Sequence, residues 1–250
     1  MTDRSPLHDD RRRAGSFGAA AARYDDHRPR YPREVIAHLV DRPGLRVLDV
    51  GAGTGIASVQ LAEAGADVLA VEPDPQMAEL AAAKGIAVEV ATFEEWEPGG
   101  RRFDLVVFAQ SFHWVRPEPA VAAVAGVLDP GGRLALLWNR ITSVRPTRAE
   151  FDRAYAGLLD DWQRPSAGLE VSPELDGLLT GAGFAVEHRE VVEDLHYGAE
   201  QWVDMVTTYS NVLTLPAADR DELRARLLAL IPDDGVAAVN RSLAVVGTLG

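Results

Sequence analysis

The 250-residue sequence contains no cysteine. That excludes disulfides, thiolate nucleophiles and cysteine-ligated zinc, and it suits a reducing compartment such as the cytoplasm. Positive charge is scarce, with 25 Lys and Arg against 38 Asp and Glu, a formal net charge of −13. Such a surface repels polyanions and argues against nucleic acid and anionic membranes as partners. The basic run Arg11-Arg12-Arg13 sits beside Asp9 and Asp10 and reads as part of a flexible, solvated tail over residues 1–15. Long apolar runs are also missing. No stretch is long enough to span a bilayer, and MTDRSPLHDDRRR has no apolar segment of a secretory leader. Of the 6 histidines, 8, 27, 38, 188 and 196 show no metal-ligand spacing, and no magnesium-type acidic cluster stands out, so no metal is expected. What remains is 47% hydrophobic, enough for a sizeable core. The length suits one domain, over residues 16–250.

Strand and helix signals alternate through the first half. A helix is expected from about Ser16 to Tyr24, and another from Pro32 that Pro43-Gly44 stops. Then follow a strand over Arg46–Val50, a helix over Thr54–Ala64 and a strand over Asp67–Glu72. Asp74-Pro75 reads as an N-cap with proline in the first turn, opening a helix to about Ala83. Strands are expected over Ile86–Ala91, Phe103–Ala109 and Arg133–Trp138. The last two flank a helix over Pro117–Leu128 that Asp129-Pro130-Gly131-Gly132 ends. The nearly continuous apolar run FDLVVFA suits a strand buried on both faces. This order predicts an α/β fold with a mostly parallel sheet. After residue 140 the rhythm breaks. A helix from Ser172-Pro173, a strand over Phe184–Val192, helices over 199–213 and 217–231, and a last strand at Leu243–Val246 are expected. Helical cover segments fall at about 146–170 and 195–235.

The stretch from Val47 to Gly65, VLDVGAGTGIASVQLAEAG, joins the first strand to its helix. Glycines there let a ligand approach backbone N–H groups at a helix start. A dinucleotide fingerprint needs Gly-x-Gly-x-x-Gly. Here Gly51, Gly53 and Gly55 alternate, and Ile56 stands where the third fingerprint glycine belongs. Asp49 precedes the first glycine by two residues. Glu72 ends the second strand, placed to accept hydrogen bonds from two ribose hydroxyls, an arrangement shared by nicotinamide and other nucleoside sites.

Leu48-Asp49-Val50-Gly51-Ala52-Gly53-Thr54-Gly55, followed by Val71-Glu72-Pro73, resembles the class I S-adenosylmethionine-dependent methyltransferases. Phe17-Gly18, Tyr24-Asp25 and Arg28-Pro29-Arg30-Tyr31-Pro32 resemble the start of the trans-aconitate-methyltransferase-like branch, the methyltransferase type 11 group. Ala109-Gln110-Ser111-Phe112-His113-Trp114 and Leu128-Asp129-Pro130-Gly131-Gly132 match its later blocks. The resemblance covers residues 16–140 well and the rest loosely. It implies a Rossmann-like, mostly parallel seven-stranded sheet with helices on both faces and a helical cover. The implied cofactor is S-adenosyl-L-methionine. Gly51, Ala52, Gly53 and Gly55 would face its methionine portion, supported by Asp49, and Glu72 would take the ribose. Pro73 and Met77 would pack near the adenine, and Thr92, Phe93 and Glu94 would contact it. Gln110 would reach the methionine moiety. Tyr24 and Arg28 would close over the site, Arg28 toward a carboxylate.

A sulfonium methyl moves by in-line displacement, so positioning carries much of the rate. His113, just beyond the fourth strand, is the candidate general base, needed only if the acceptor must lose a proton. The Asn/Asp-Pro-Pro-Tyr block of enzymes that methylate nucleobase amino groups is absent. The expected acceptor is a small molecule methylated on oxygen or carbon. Two helical stripes, Trp202, Met205, Tyr209, Val212 and Tyr155, Leu159, Trp162, read as core first and as acceptor-pocket walls second. A cofactor-binding protein that does not methylate, or a nicotinamide-dependent oxidoreductase, would share the glycine turn and Glu72. Oligomeric state is not legible.

Overall fold

A computed structural model describes residues 21–160 and 173–250. The expected tail over 1–15, the start of the first helix, Phe17-Gly18, Trp162 and the cover segment from 161 to 170 lie outside the described residues.

Seven strands form one sheet in the order β3-β2-β1-β4-β5-β7-β6. They are β1 (Arg46–Val50), β2 (Asp67–Val71), β3 (Ala87–Glu89), β4 (Phe103–Ala109), β5 (Leu128–Arg145), β6 (Phe184–Tyr197) and β7 (Val236–Leu249). β1 to β5 pair in parallel, and β7 runs antiparallel to both β5 and β6. This is the mostly parallel seven-stranded architecture expected. Its helices are α1 (Ala21–His27), α2 (Arg33–Leu39), α3 (Ile56–Glu63), α4 (Pro75–Ala83), α5 (Pro117–Val127), α6 (Arg148–Tyr155), α7 (Pro173–Gly181), α8 (Ala199–Val206), α9 (Ser210–Leu213) and α10 (Ala217–Leu230).

The two-residue period of the strands builds two core layers. Val50, Val106, Phe108, Leu134 and Leu136 pack on one face with Val121 and Val124 of α5. Val47, Leu105, Val107, Ala135 and Leu137 pack on the other with Val35 and Leu39 of α2 and Leu61 of α3. Asp74 caps α4 as expected, its carboxylate accepting from Gln76 N (2.9 Å) and Met77 N (3.2 Å), with Pro75 at the first position.

The later strands are longer than the sequence pattern suggests. β5 continues to Arg145 rather than ending near Trp138, β6 reaches Tyr197 rather than Val192, and β7 spans fourteen residues rather than four. The reason is tertiary. Their far ends outrun the parallel core and carry a third cluster, where Ile141 and Ala238 meet Phe151, Tyr155, Trp202, Val206, Leu223 and Leu227 of the cover helices. The Asp129-Pro130-Gly131-Gly132 segment is absorbed as an irregularity at the start of β5, between the Phe103↔Leu128 and Leu105↔Arg133 pairs, with Gly131 at φ +74°. Trp202, Met205 and Val212 of the first expected stripe are buried in this third cluster, as are Tyr155 and Leu159 of the second, while Tyr209 sits half-buried at its border.

Candidate functional site

The sheet brings Asp49, the glycine turn, Glu72 and Gln110 to the carboxyl ends of β1, β2 and β4, where open α/β sheets bind ligands. The turn leans on the end of β2, since Gly51 N and Ala52 N both donate to Val71 O (2.8 and 3.3 Å). Its three glycines serve different ends. All have positive φ, +66°, +59° and +81°. A Cβ on Gly51 would lie 2.6 Å from Ser111 Cβ, and one on Gly55 would lie 3.0 Å from Ala81 Cβ. Those two glycines let the turn pack. A Cβ on Gly53 would meet only Met77 Cε, at 4.0 Å, so Gly53 keeps the open side of the turn clear.

Glu72 is 7% exposed. Its carboxylate accepts from Gly53 N (2.8 Å) and Asp74 N (2.9 Å). Burial pushes its pKa up to about 7, partly opposed by those two backbone hydrogen bonds. Asp49 is wholly buried; Ser58 Oγ donates to its Oδ2 at 2.5 Å. Its Oδ1 is buried and accepts no hydrogen bond among the described residues. Burial raises this carboxyl to about 6, against the lowering effect of Ser58. Two carboxylates at a helix-start turn, one with an orphaned oxygen, suit a ligand that offers hydroxyl and ammonium donors rather than phosphate.

Gln110 closes the far side. It holds φ +61°, unusual for a non-glycine residue, donates N–H to Leu137 O (2.9 Å), and donates Nε2 to Asn139 O (3.0 Å). Met77 is buried beside the turn, and Pro73 is exposed at its rim. The segment after β3 is split. Phe93 is buried, packing edge-on to Phe108 (5.5 Å) and stacked on Trp96 (6.3 Å). Thr92 Oγ1 donates to Glu95, and Glu94 is exposed. His113 lies in a 3-10 turn after β4, half-buried, its ring 4.7 Å from Trp114.

Tyr24 and Arg28 join the site to the cover. The Arg28 guanidinium lies over Tyr24 (4.7 Å) and Tyr209 (4.0 Å) and donates to Thr208 Oγ1 (3.0 Å) and Thr208 O (3.2 Å). It pairs with no carboxylate among the described residues. Two supports went unread in the sequence. Ser111 seats Gly51 and donates Oγ to Val50 O (2.5 Å). Asp25 of α1 accepts from Thr54 Oγ1 (2.7 Å) and from Lys84 Nζ, while Lys84 Nζ also reaches Thr54 O (2.8 Å). The chain's single lysine thus ties the first helix to the glycine turn. Its uniqueness was the available signal. Among the described residues no group of three His, Asp or Glu could hold a metal ion, and no helix is long and apolar enough to cross a membrane.

Residues 48–136 match the model of a methyltransferase domain family. An uncharacterized methyltransferase of Mycobacterium tuberculosis is 35% identical over 233 residues, covering 92% of this chain and 91% of the relative. A ubiquinone biosynthesis O-methyltransferase of Xylella fastidiosa is 32% identical over 155 residues, 54% of this chain and 59% of that one. Among solved structures, the phosphoethanolamine N-methyltransferase 2 of Haemonchus contortus, determined with S-adenosylhomocysteine, shares 15% identity at a TM-score of 0.56, covering 100% of this chain and 61% of that chain.

Proposed function

Because the chain belongs to the S-adenosylmethionine-dependent methyltransferases of the methyltransferase-domain family, we propose that it transfers a methyl group to a small-molecule acceptor, on oxygen or carbon. The carrying observation is the Glu72 carboxylate held by Gly53 N and Asp74 N beside an open glycine turn. The Xylella relative, a ubiquinone biosynthesis O-methyltransferase matched over about half of this chain, supports the oxygen reading. The acidic surface favours a small acceptor over nucleic acid. The lack of cysteine suits a cytoplasmic setting. Residues 16–250 would act as one unit, with the cover closing the acceptor side.

S-adenosylmethionine, when bound, supplies a sulfonium-activated methyl group. The chain's own work is positional. Gly51, Ala52, Gly53 and Gly55 present backbone to the amino-acid end, and the unpartnered Asp49 oxygen favours an ammonium nearby. Glu72 accepts from the ribose hydroxyls. Pro73 and Met77, with Thr92, Phe93 and Glu94, border the adenine, and Gln110 borders the methionine portion. Tyr24 and Arg28 close the entrance and exclude water. His113 takes the acceptor's proton where the acceptor is a hydroxyl or an acidic carbon.

The test is incorporation of isotopic methyl from S-adenosylmethionine into a panel of phenols, catechols, carboxylates and carbon acids, read by mass spectrometry. Labelled product on oxygen or carbon supports the proposal. Label only on amines corrects it. Tight cofactor binding with no product from any acceptor favours a protein that binds without methylating.

A further inference from the structure

The even-numbered residues of β7 point to one face of the sheet. Along that face Val236 and Ala238 belong to the cover cluster, while Ala244 and Val246 belong to the layer beneath α2. On β5, Ile141 and Leu137 divide in the same way. Between the two apolar clusters lies a polar layer: Asn139 of β5, paired in register with Ser242, and Asn240, paired with Ile141. The layer sits at the ligand end of the sheet. Gln110 Nε2 donates to Asn139 O, and Asn139 Nδ2 donates to Pro29 O (3.4 Å) and Arg30 O (3.2 Å), in the segment that follows Arg28.

The network fixes which atoms are left over. Asn139 spends its amide protons on two carbonyls, so its Oδ1 turns to Asn240. Asn240 must therefore present Nδ2 to it, at 3.2 Å. The atom remaining on Asn240 is an acceptor, Oδ1. It is buried and takes no hydrogen bond among the described residues, and neither does Ser242 Oγ. Asn240 is 1% exposed and Ser242 is 0% exposed. Buried polar atoms nearly always find partners, so two orphans on one strand, two residues apart and on the same face, mark a place where something else supplies the bonds. On β6, Glu193 stands opposite Asn240 in register and adds a third acceptor at the margin.

We propose that Asn240 and Ser242 form the hydroxyl-recognition element of the acceptor site, binding a hydroxyl-bearing small molecule between the extended strands and the cover. This rests on the methyltransferase reading and deepens it. A ligand hydroxyl donates to Asn240 Oδ1 and accepts from Ser242 Oγ. An ammonium donates to both oxygens but leaves the Ser242 O–H without an acceptor, and an ether or methyl group leaves Asn240 Oδ1 without a donor. Sites that hydrogen-bond a substrate hydroxyl discriminate strongly against analogues lacking it, because the buried groups are then left unpaired. The assigned role is acceptor recognition, separate from the cofactor turn.

The experiment uses the full chain saturated with S-adenosylhomocysteine at pH 8. Phenol, toluene and benzylamine are titrated as probes by ligand-observed NMR, against wild type, Ser242→Ala and Asn240→Leu. Melting temperature and S-adenosylhomocysteine affinity are measured on each variant. The expected result is a preference for phenol over toluene of about fivefold or more in wild type, consistent with one to two net hydrogen bonds. It collapses toward equality in both variants while cofactor-product affinity stays unchanged. Ser242→Ala is expected to melt no lower than wild type, since the hydroxyl it removes is unpaired. The proposal is overturned if phenol and toluene bind alike in wild type, or if the preference survives both variants. It is also overturned if benzylamine binds best in an Asn240-dependent way. A lower melting temperature in Ser242→Ala with probe binding untouched assigns the hydroxyl to a structural water and overturns it too. Failure of wild type to bind S-adenosylhomocysteine at all removes the methyltransferase reading itself, a distinct outcome.

Discussion

Lowering the pH through 7 should weaken cofactor binding chiefly through Glu72, with Asp49 joining below about pH 6. Burial lifts Glu72 from the ordinary value of 4.5 to about 7 in the ligand-free protein. That displacement of roughly 2.5 units corresponds to about 3 kcal/mol of strain on the charged form. Ribose hydroxyls donate to a carboxylate and relieve that strain, so binding draws the pKa back down. Above pH 7 the carboxylate is already charged and binding releases no proton from it. Below pH 7 binding must expel a proton, and affinity falls by up to about tenfold per pH unit until the bound-state pKa is reached. Calorimetric titration with S-adenosylhomocysteine from pH 5.5 to 8.5, in two buffers of different ionisation enthalpy, counts that proton directly. Glu72 alone should release close to one proton near pH 6 and none at pH 8.5, and should make binding roughly 30-fold weaker at pH 5.5 than at pH 8.5. Glu72→Gln should bind weakly at every pH, with a flat profile above about pH 6.5. An affinity independent of pH in wild type, or a slope between about pH 6.5 and 8.5 that survives Glu72→Gln, refutes the reasoning.

The same carboxyls act on stability. Because the folded pKa values of Glu72 and Asp49 lie above their unfolded values, their favourable contribution is complete below about pH 4 and is lost as pH rises through about 6 for Asp49 and about 7 for Glu72. Ligand-free wild type should therefore lose up to about 3 kcal/mol of stability from Glu72 between pH 4 and pH 8, a loss that Glu72→Gln should not show by calorimetry. Gly53→Ala should stay folded at a cost of about 1–2 kcal/mol for its left-handed backbone, yet lose S-adenosylhomocysteine binding, since its Cβ enters the open side of the turn. Gly51→Ala should unfold far more readily, because its Cβ would collide with Ser111 Cβ at 2.6 Å; circular dichroism melts separate the two. His113→Ala should leave S-adenosylhomocysteine affinity unchanged and reduce turnover of a hydroxyl acceptor by about 10²–10⁴-fold. Equal activity in that variant would assign the histidine to packing on Trp114.

The parallel half of the fold is legible because its signals are local. The apolar run of Phe103–Ala109, the Asp74-Pro75 cap and the glycines at 51, 53 and 55 each state their geometry within a few residues. Glu72 is legible for the same reason, as an acid at the end of a short apolar strand. The far half is less so. Asn139, Arg140, Thr142 and Ser143 give β5 no clean alternation, and the pairing that extends it comes from β7 about a hundred residues away. Asn240 and Ser242 look like ordinary solvent-facing strand residues in sequence, and their burial arises only once the sheet and its neighbours have assembled. The Asp25–Thr54–Lys84 link joins three separate segments, so no window of sequence contains it. Phe93, named for the adenine, is buried and packs edge-on to Phe108, contacts that no short window of sequence states.

Isothermal titration of the full chain at pH 8 with S-adenosylhomocysteine, with NADH in parallel, tests the central claim most directly. The account predicts binding of S-adenosylhomocysteine on the order of micromolar, lost in a folded Glu72→Ala variant, and none of NADH. Binding of NADH in its place, or S-adenosylhomocysteine affinity untouched by Glu72→Ala, contradicts it.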